Sequence, residues 1–138
     1  MDTEQLNKYL EGIYMGIETF KDFEKKCNNE SSLKALVGET KNIYHNHAAV
    51  IGNRIRDLGG DPPKSLGIGG KITETFGEMK NLFVTGEDEI REAAYKAAQT
   101  GVEMEEKFLR DNPNLDNETK TLIEGTIKED KDQLTKFD

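Results

Sequence analysis

Apolar residues recur at spacings of three and four along most of this chain, and no segment alternates apolar and polar with period two. Leu6, Leu10, Ile13, Ile17 and Phe20 share one stripe of a helix expected from Thr3 to about Cys27. "NNESS" then breaks the pattern. Ser31 or Ser32 suits the N-cap of a second helix, whose stripe is Leu33, Leu36, Val37, Ile43, Tyr44, Ile51, Ile55 and Leu58. "GGDPP" ends it, because Gly59 suits the left-handed position after a helix and Pro62 and Pro63 cannot continue one.

"KSLGIGG" reads as a loop. Ile72, Phe76, Met79, Leu82 and Phe83 then mark a short helix of about four turns. Thr85 opens the cap "TGED", whose acidic residues favour the first turn of a helix running to about Arg110. "NPNLDNE" interrupts again, and Leu122, Ile123, Ile127, Leu134 and Phe137 form the stripe of a last helix. The expected fold is all-α, one domain over residues 1–138. Its four long helices pack antiparallel, except that a long connection lets the second and third run the same way.

Composition narrows the function classes. Hydrophobic residues make up 34% and charged residues 33%, a balance that favours a soluble helical protein over a disordered one. No apolar run approaches the roughly 20 residues that span a bilayer. The start "MDTEQLNKYL" lacks a basic region followed by an apolar block, so the expected place is the cytoplasm, with no membrane partner. Cys27 is the lone cysteine; it makes no internal disulfide and is expected to pack in or near the core. The net charge of −8 argues against nucleic acid, which needs clustered Lys and Arg to displace counterions. "GIGGKIT" has the residue types of a phosphate cradle but not the spacing: Ser65 stands where the first Gly belongs, and Ile72 follows the Lys.

The stretch "HAAVIGNRIRDLGGDPP" resembles the second helix and following turn of the ferritin-like superfamily. With the restart "TGEDEIREAAYKAA", the order of elements is similar, more narrowly, to a small bacterial family of ferritin-like bundles known only as a domain of unknown function. The resemblance covers nearly the whole chain. It implies a ferritin-like four-helix bundle whose crossover between the second and third helices carries the short extra helix. It also implies a pair of iron or manganese ions held at mid-height by carboxylates and imidazoles from all four helices, for iron oxidation, peroxide removal or oxygen activation.

The residues facing inward decide whether such a centre exists. His45 and His47 lie roughly 200° apart around a helix, so both cannot face the core; His47 points inward and His45 to solvent. A Glu three positions before His47 would complete the superfamily's motif, and Tyr44 stands there. On the first helix the expected ligand position falls near Ile17, and on the third the inward residues Ala94, Ala97, Ala98 and Gly101 are small. On the last, Asp130, Gln133 and Thr126 face inward, with Glu129 beside the stripe. Glu24 and Glu105 read as rim residues near helix ends.

His47, Asp130 and Gln133 are therefore the remaining metal-ligand candidates, a vestigial set, around a core of Ile17, Tyr44, Ala97, Ala98 and Thr126. That set falls short of the roughly four carboxylates and two imidazoles a di-iron centre uses. The expectation is that apolar burial and the Tyr44 ring fill the centre. A His47–Asp130 contact joined by the Tyr44 hydroxyl should then satisfy the polar remainder. Three readings follow. One is a non-catalytic structural or interaction protein, as a homodimer or with a protein partner, and with no cofactor. The second is a divergent iron or manganese protein for storage or oxidative-stress protection. The third is a helical module that binds a small ligand or peptide beside the small face of the third helix.

Overall fold

A computed structural model describes residues 3–29, 31–65 and 86–138. Over these residues the chain forms four helices: α1 (Thr3–Lys26), α2 (Ser32–Asp57), α3 (Glu87–Asp111) and α4 (Asn117–Thr135). There is no strand among the described residues, and no helix there is long and apolar enough to cross a membrane. The expected short helix around Ile72 to Phe83, the end of its preceding loop and the Thr85 cap lie outside the described residues.

Local chemistry sets the helix ends. Ser31 caps α2, its hydroxyl oxygen accepting from the Lys34 amide at 3.0 Å. Past Asp57 the chain turns through Leu58, and Gly59 takes the left-handed φ of 86° that a side chain would resist. Gly60 follows in close quarters: a Cβ there would lie 2.7 Å from Thr3 Oγ1. The cap of α3 falls on Gly86, which offers no side chain, while Glu87, Asp88 and Glu89 supply negative charge to its first turn. Asp116 caps α4, accepting from the Thr119 amide at 3.4 Å. The hydrogen bond from the Thr119 side chain, then that from its backbone and the Arg54 guanidinium, hold the Asp116 carboxyl below its ordinary value.

Cross-helix contacts fix the directions. Along α1 and α2, Glu24 meets Lys41 at 2.7 Å, Gly16 faces the Tyr44 ring and Leu10 faces Gly52, an antiparallel register. Between α2 and α4 the pairs are Glu39–Lys136, Thr40–Gln133, His47–Glu129 and Arg54–Asp116, again antiparallel. Tyr9 stacks on Phe108, and Phe20 and Phe23 share a cluster with Ala93 and Ala94, so α3 also runs against α1. Helices α2 and α3 thus run the same way.

Two apolar clusters hold the helices together. One gathers Phe20, Phe23, Cys27, Leu33, Val37, Ile90 and the alanines of α3, closed by Phe137 just past the end of α4. The other gathers Leu6, Leu10, Ile17, Ile51, Ile55, Ile123 and Ile127. Full burial of each large side chain contributes about 1.5–3 kcal/mol, against a few tenths for an exposed ion pair such as Lys96–Glu92, so the apolar faces dominate stability. Cys27 sits in the first cluster as expected, and burial pushes its thiol up, away from reactivity.

Candidate functional site

Between the two clusters lies a layer of polar side chains. Each helix contributes by its periodicity. On α4, Thr126, Asp130 and Gln133 follow Ile123 on the buried stripe, at spacings of three and four. On α3, Glu105 follows Ala94, Ala97, Ala98 and Gly101 one turn further along. His47 lies seven residues before Arg54 on α2, and Tyr9 three after Leu6 on α1, each on the inward face.

His47 bridges two carboxyl groups. Its Nε2 lies 2.6 Å from Glu129 Oε1, and its Nδ1 lies 3.4 Å from Asp130 Oδ1. A carboxylate only accepts, so Nε2 donates to Glu129. The expected His47–Asp130 contact is thus present, while Glu129 reaches the imidazole from beside the stripe and keeps its side chain 57% exposed. His45 is exposed, as its helical position requires.

Asp130 is the group most altered by its surroundings. Burial, then the hydrogen bond and charge of Glu105, then the charge of Glu129 push its carboxyl from 3.8 up to about 10. It is therefore a neutral acid at pH 7 that donates to the Glu105 carboxylate. Its Oδ1 is buried and has no hydrogen-bond partner. Glu105 also accepts from the Tyr9 hydroxyl at 2.9 Å, and Thr126 Oγ1 lies 3.0 Å from that hydroxyl. Burial, then the Glu105 charge, push the Tyr9 hydroxyl well up, so it stays protonated and donates.

Two sequence readings are corrected here. Glu105 is not a rim residue: α3 ends about where expected, and the Tyr9 and Thr126 hydroxyls hold the Glu105 carboxylate in the central layer. The Tyr44 hydroxyl does not join the network. Its ring packs edge-on against Phe20 at 5.3 Å and over Gly16, and its hydroxyl has no hydrogen-bond partner among the described residues. Tyr9 takes the place expected of it. Gln133 lies about one turn past Asp130 on α4 and donates to Thr40 Oγ1, two turns before His47 on α2, at 2.9 Å, so it belongs to a separate pair. Ile17 and Tyr44 pack in the interior as expected, Ala97 and Ala98 form the small face of α3, and Thr126 bonds to Tyr9 rather than to Asp130.

Opposite that small face is a cavity of about 190 Å³ between α1 and α3. Gly12, Gly16, Ala97 and Gly101 leave the space, and Tyr9, Phe20, Tyr44 and Phe108 wall it. His47, Glu105 and Asp130 reach it from the central layer.

Among the described residues, no group of three or more His, Cys, Asp or Glu is arranged to hold a metal ion. The donor chemistry agrees. One imidazole is engaged at Nε2 by Glu129, and α1 brings a phenol and Ile17 where a carboxylate would be needed. These side chains do not fit a two-metal centre.

A family model described as a domain of unknown function, DUF2383, matches residues 1–111, which span α1 to α3. The match stops before α4, the helix that carries Thr126, Glu129, Asp130 and Gln133. No curated protein and no solved structure matches the chain.

Proposed function

The chain belongs to the DUF2383 family, and from its geometry we propose a ferritin-like four-helix bundle that has exchanged a metal centre for a proton-sharing side-chain layer. The protein is a non-catalytic structural or interaction protein of the cytoplasm, acting as a homodimer or with a protein partner.

The observation that carries the reading is the Asp130–Glu105 pair. Burial and the neighbouring Glu105 and Glu129 charges push the Asp130 carboxyl up to about 10, so a proton shared between Asp130 and Glu105 supports a layer that is balanced without a cation. His47 adds its imidazole to the layer by way of Glu129 and Asp130. What remains of the superfamily's ligand set is His47, Asp130 and Gln133, and Gln133 faces Thr40.

Metal analysis tests this. Protein purified without chelators should carry no stoichiometric iron, manganese or zinc, and anaerobic Fe(II) addition followed by oxygen should give no protein-dependent oxidation. Stoichiometric metal, or iron oxidation lost in His47→Ala, would establish the divergent metalloprotein instead.

A second reading has its own support. The cavity between α1 and α3 lies beside the small face of α3 and has room for a benzene-sized molecule, which favours a ligand-binding module.

A further inference from the structure

We propose that the cavity between α1 and α3 binds a small organic cation, an ammonium group carried on an apolar body about the size of a benzene ring. The proposal rests on the ligand-module reading and gives it a chemical class.

Size comes first. The cavity measures about 190 Å³; engineered apolar cavities of about 150 Å³ hold benzene. Entry is open from solvent. A Cβ at Gly12 or Gly101, on the two facing helices, would meet no atom within 4 Å, and the outer edge is formed by exposed Lys8 and by Met104, 41% exposed.

The walls favour a cation. Tyr9 and Phe108 have ring centroids 4.8 Å apart, and Phe20 and Tyr44 lie edge to face at 5.3 Å, so two aromatic pairs flank the space. The faces of such rings attract positive charge. The Tyr44 hydroxyl, with no partner of its own, remains available to a polar group on the ligand.

The floor decides the sign of the charge. Asp130 lines the cavity but is only 6% exposed, and its Oδ1 is buried against His47 Nδ1 at 3.4 Å. The Glu105 carboxylate lies beside it. An ammonium N–H would donate to the half-buried Glu105 carboxylate and meet its negative charge. An anion would face Glu105 at short range, and a plain hydrocarbon would bury that carboxylate without a counter-charge. His47 does not oppose a cation strongly, because its Nε2 is already held by Glu129. Lys8 is exposed and its long stem can swing into solvent.

Calorimetric titration of the full chain with benzylammonium, benzyl alcohol and benzoate, each to about 10 mM, tests the proposal. Benzylammonium should bind one per chain, at least about tenfold tighter than benzyl alcohol, with no uptake of benzoate. In the wild type, intermolecular NOEs should connect the ligand ring to Tyr44 and Phe108. Gly101→Leu, which sends its side chain into open space, should abolish binding while helicity is retained. Equal or tighter binding of the alcohol would overturn the cation class and leave a ligand module standing. Absence of binding by all three would overturn both readings. NOEs to other residues, or binding unchanged in Gly101→Leu, would place the ligand elsewhere and overturn the site.

Discussion

Asp130 on α4 and Glu105 on α3 face each other as two carboxyl groups joined by a hydrogen bond inside the protein, in the layer that separates its two apolar clusters. Two carboxyl groups in hydrogen-bond contact share a proton, and it rests on Asp130, which is buried where Glu105 is only half-buried.

That proton sets the pH dependence of stability. The folded-state value of Asp130 is raised from 3.8 to about 10, so between those limits the folded chain holds a proton that the unfolded chain has lost. The contribution of this group is complete below about pH 4 and declines as pH rises toward 10, by up to about 1.4 kcal/mol per unit. Asp130→Asn mimics the neutral acid, since its amide can donate to Glu105. Urea denaturation should show the variant gaining on the wild type as pH rises from 5 to 9, and a constant difference would refute the assignment.

His47→Ala should cost about 2–4 kcal/mol, because it opens a hole in the interior and leaves Glu129 and Asp130 without their bridge. Glu129→Gln, on a side chain more than half exposed, should cost under about 1 kcal/mol. Equal losses in chemical denaturation would mean that the imidazole is held mainly by Glu129.

Arg54 ties the end of α2 to the start of α4, bonding to Asp116 at 2.6 Å, Glu118 at 3.0 Å and Thr119 at 2.9 Å. Arg54→Ala should lower the Tm by roughly 5–15 °C, and Arg54→Lys should recover only part, since a single ammonium cannot match the planar fork. Arg56→Ala, at an exposed position bonded to Asn53 of its own helix, is the control and should change little.

Two glycines separate space from propensity. At Gly101 a Cβ meets nothing, so Gly101→Ala should stabilise the protein by about 0.5–1 kcal/mol. At Gly16 a Cβ would lie 3.3 Å from two atoms of the Tyr44 ring, which is wedged on Phe20. Gly16→Ala should therefore be the less stable of the two in thermal melts, and the reverse order would show that the Tyr44 ring is free to shift.

The helices were legible in the sequence because each carries a three-and-four stripe, and some have chemically explicit ends, Ser31 and Gly59 among them. The inward placement of His47 and Asp130, and their proximity, followed from that periodicity. Glu105 was misread because a carboxylate within two turns of a helix end looks able to reach water, and nothing local shows that the Tyr9 and Thr126 hydroxyls will hold it inward. Tyr9 was missed because an aromatic on an apolar stripe gives no sign that its hydroxyl will find a carboxylate 96 residues away. The Tyr44 hydroxyl failed to join the network for a steric reason: its ring is fixed against Phe20 and Gly16. No periodicity reveals a cavity, which arises only when the glycines of α1 and α3 come to face each other.

A carbon-detected NMR titration of the Asp130 side-chain carboxyl reads the shared proton without passing through stability or binding. The account predicts a neutral carboxyl at pH 7 that titrates near 10 and whose signal is absent in Asp130→Asn. Titration in the ordinary carboxylate range, at about 4, would contradict it.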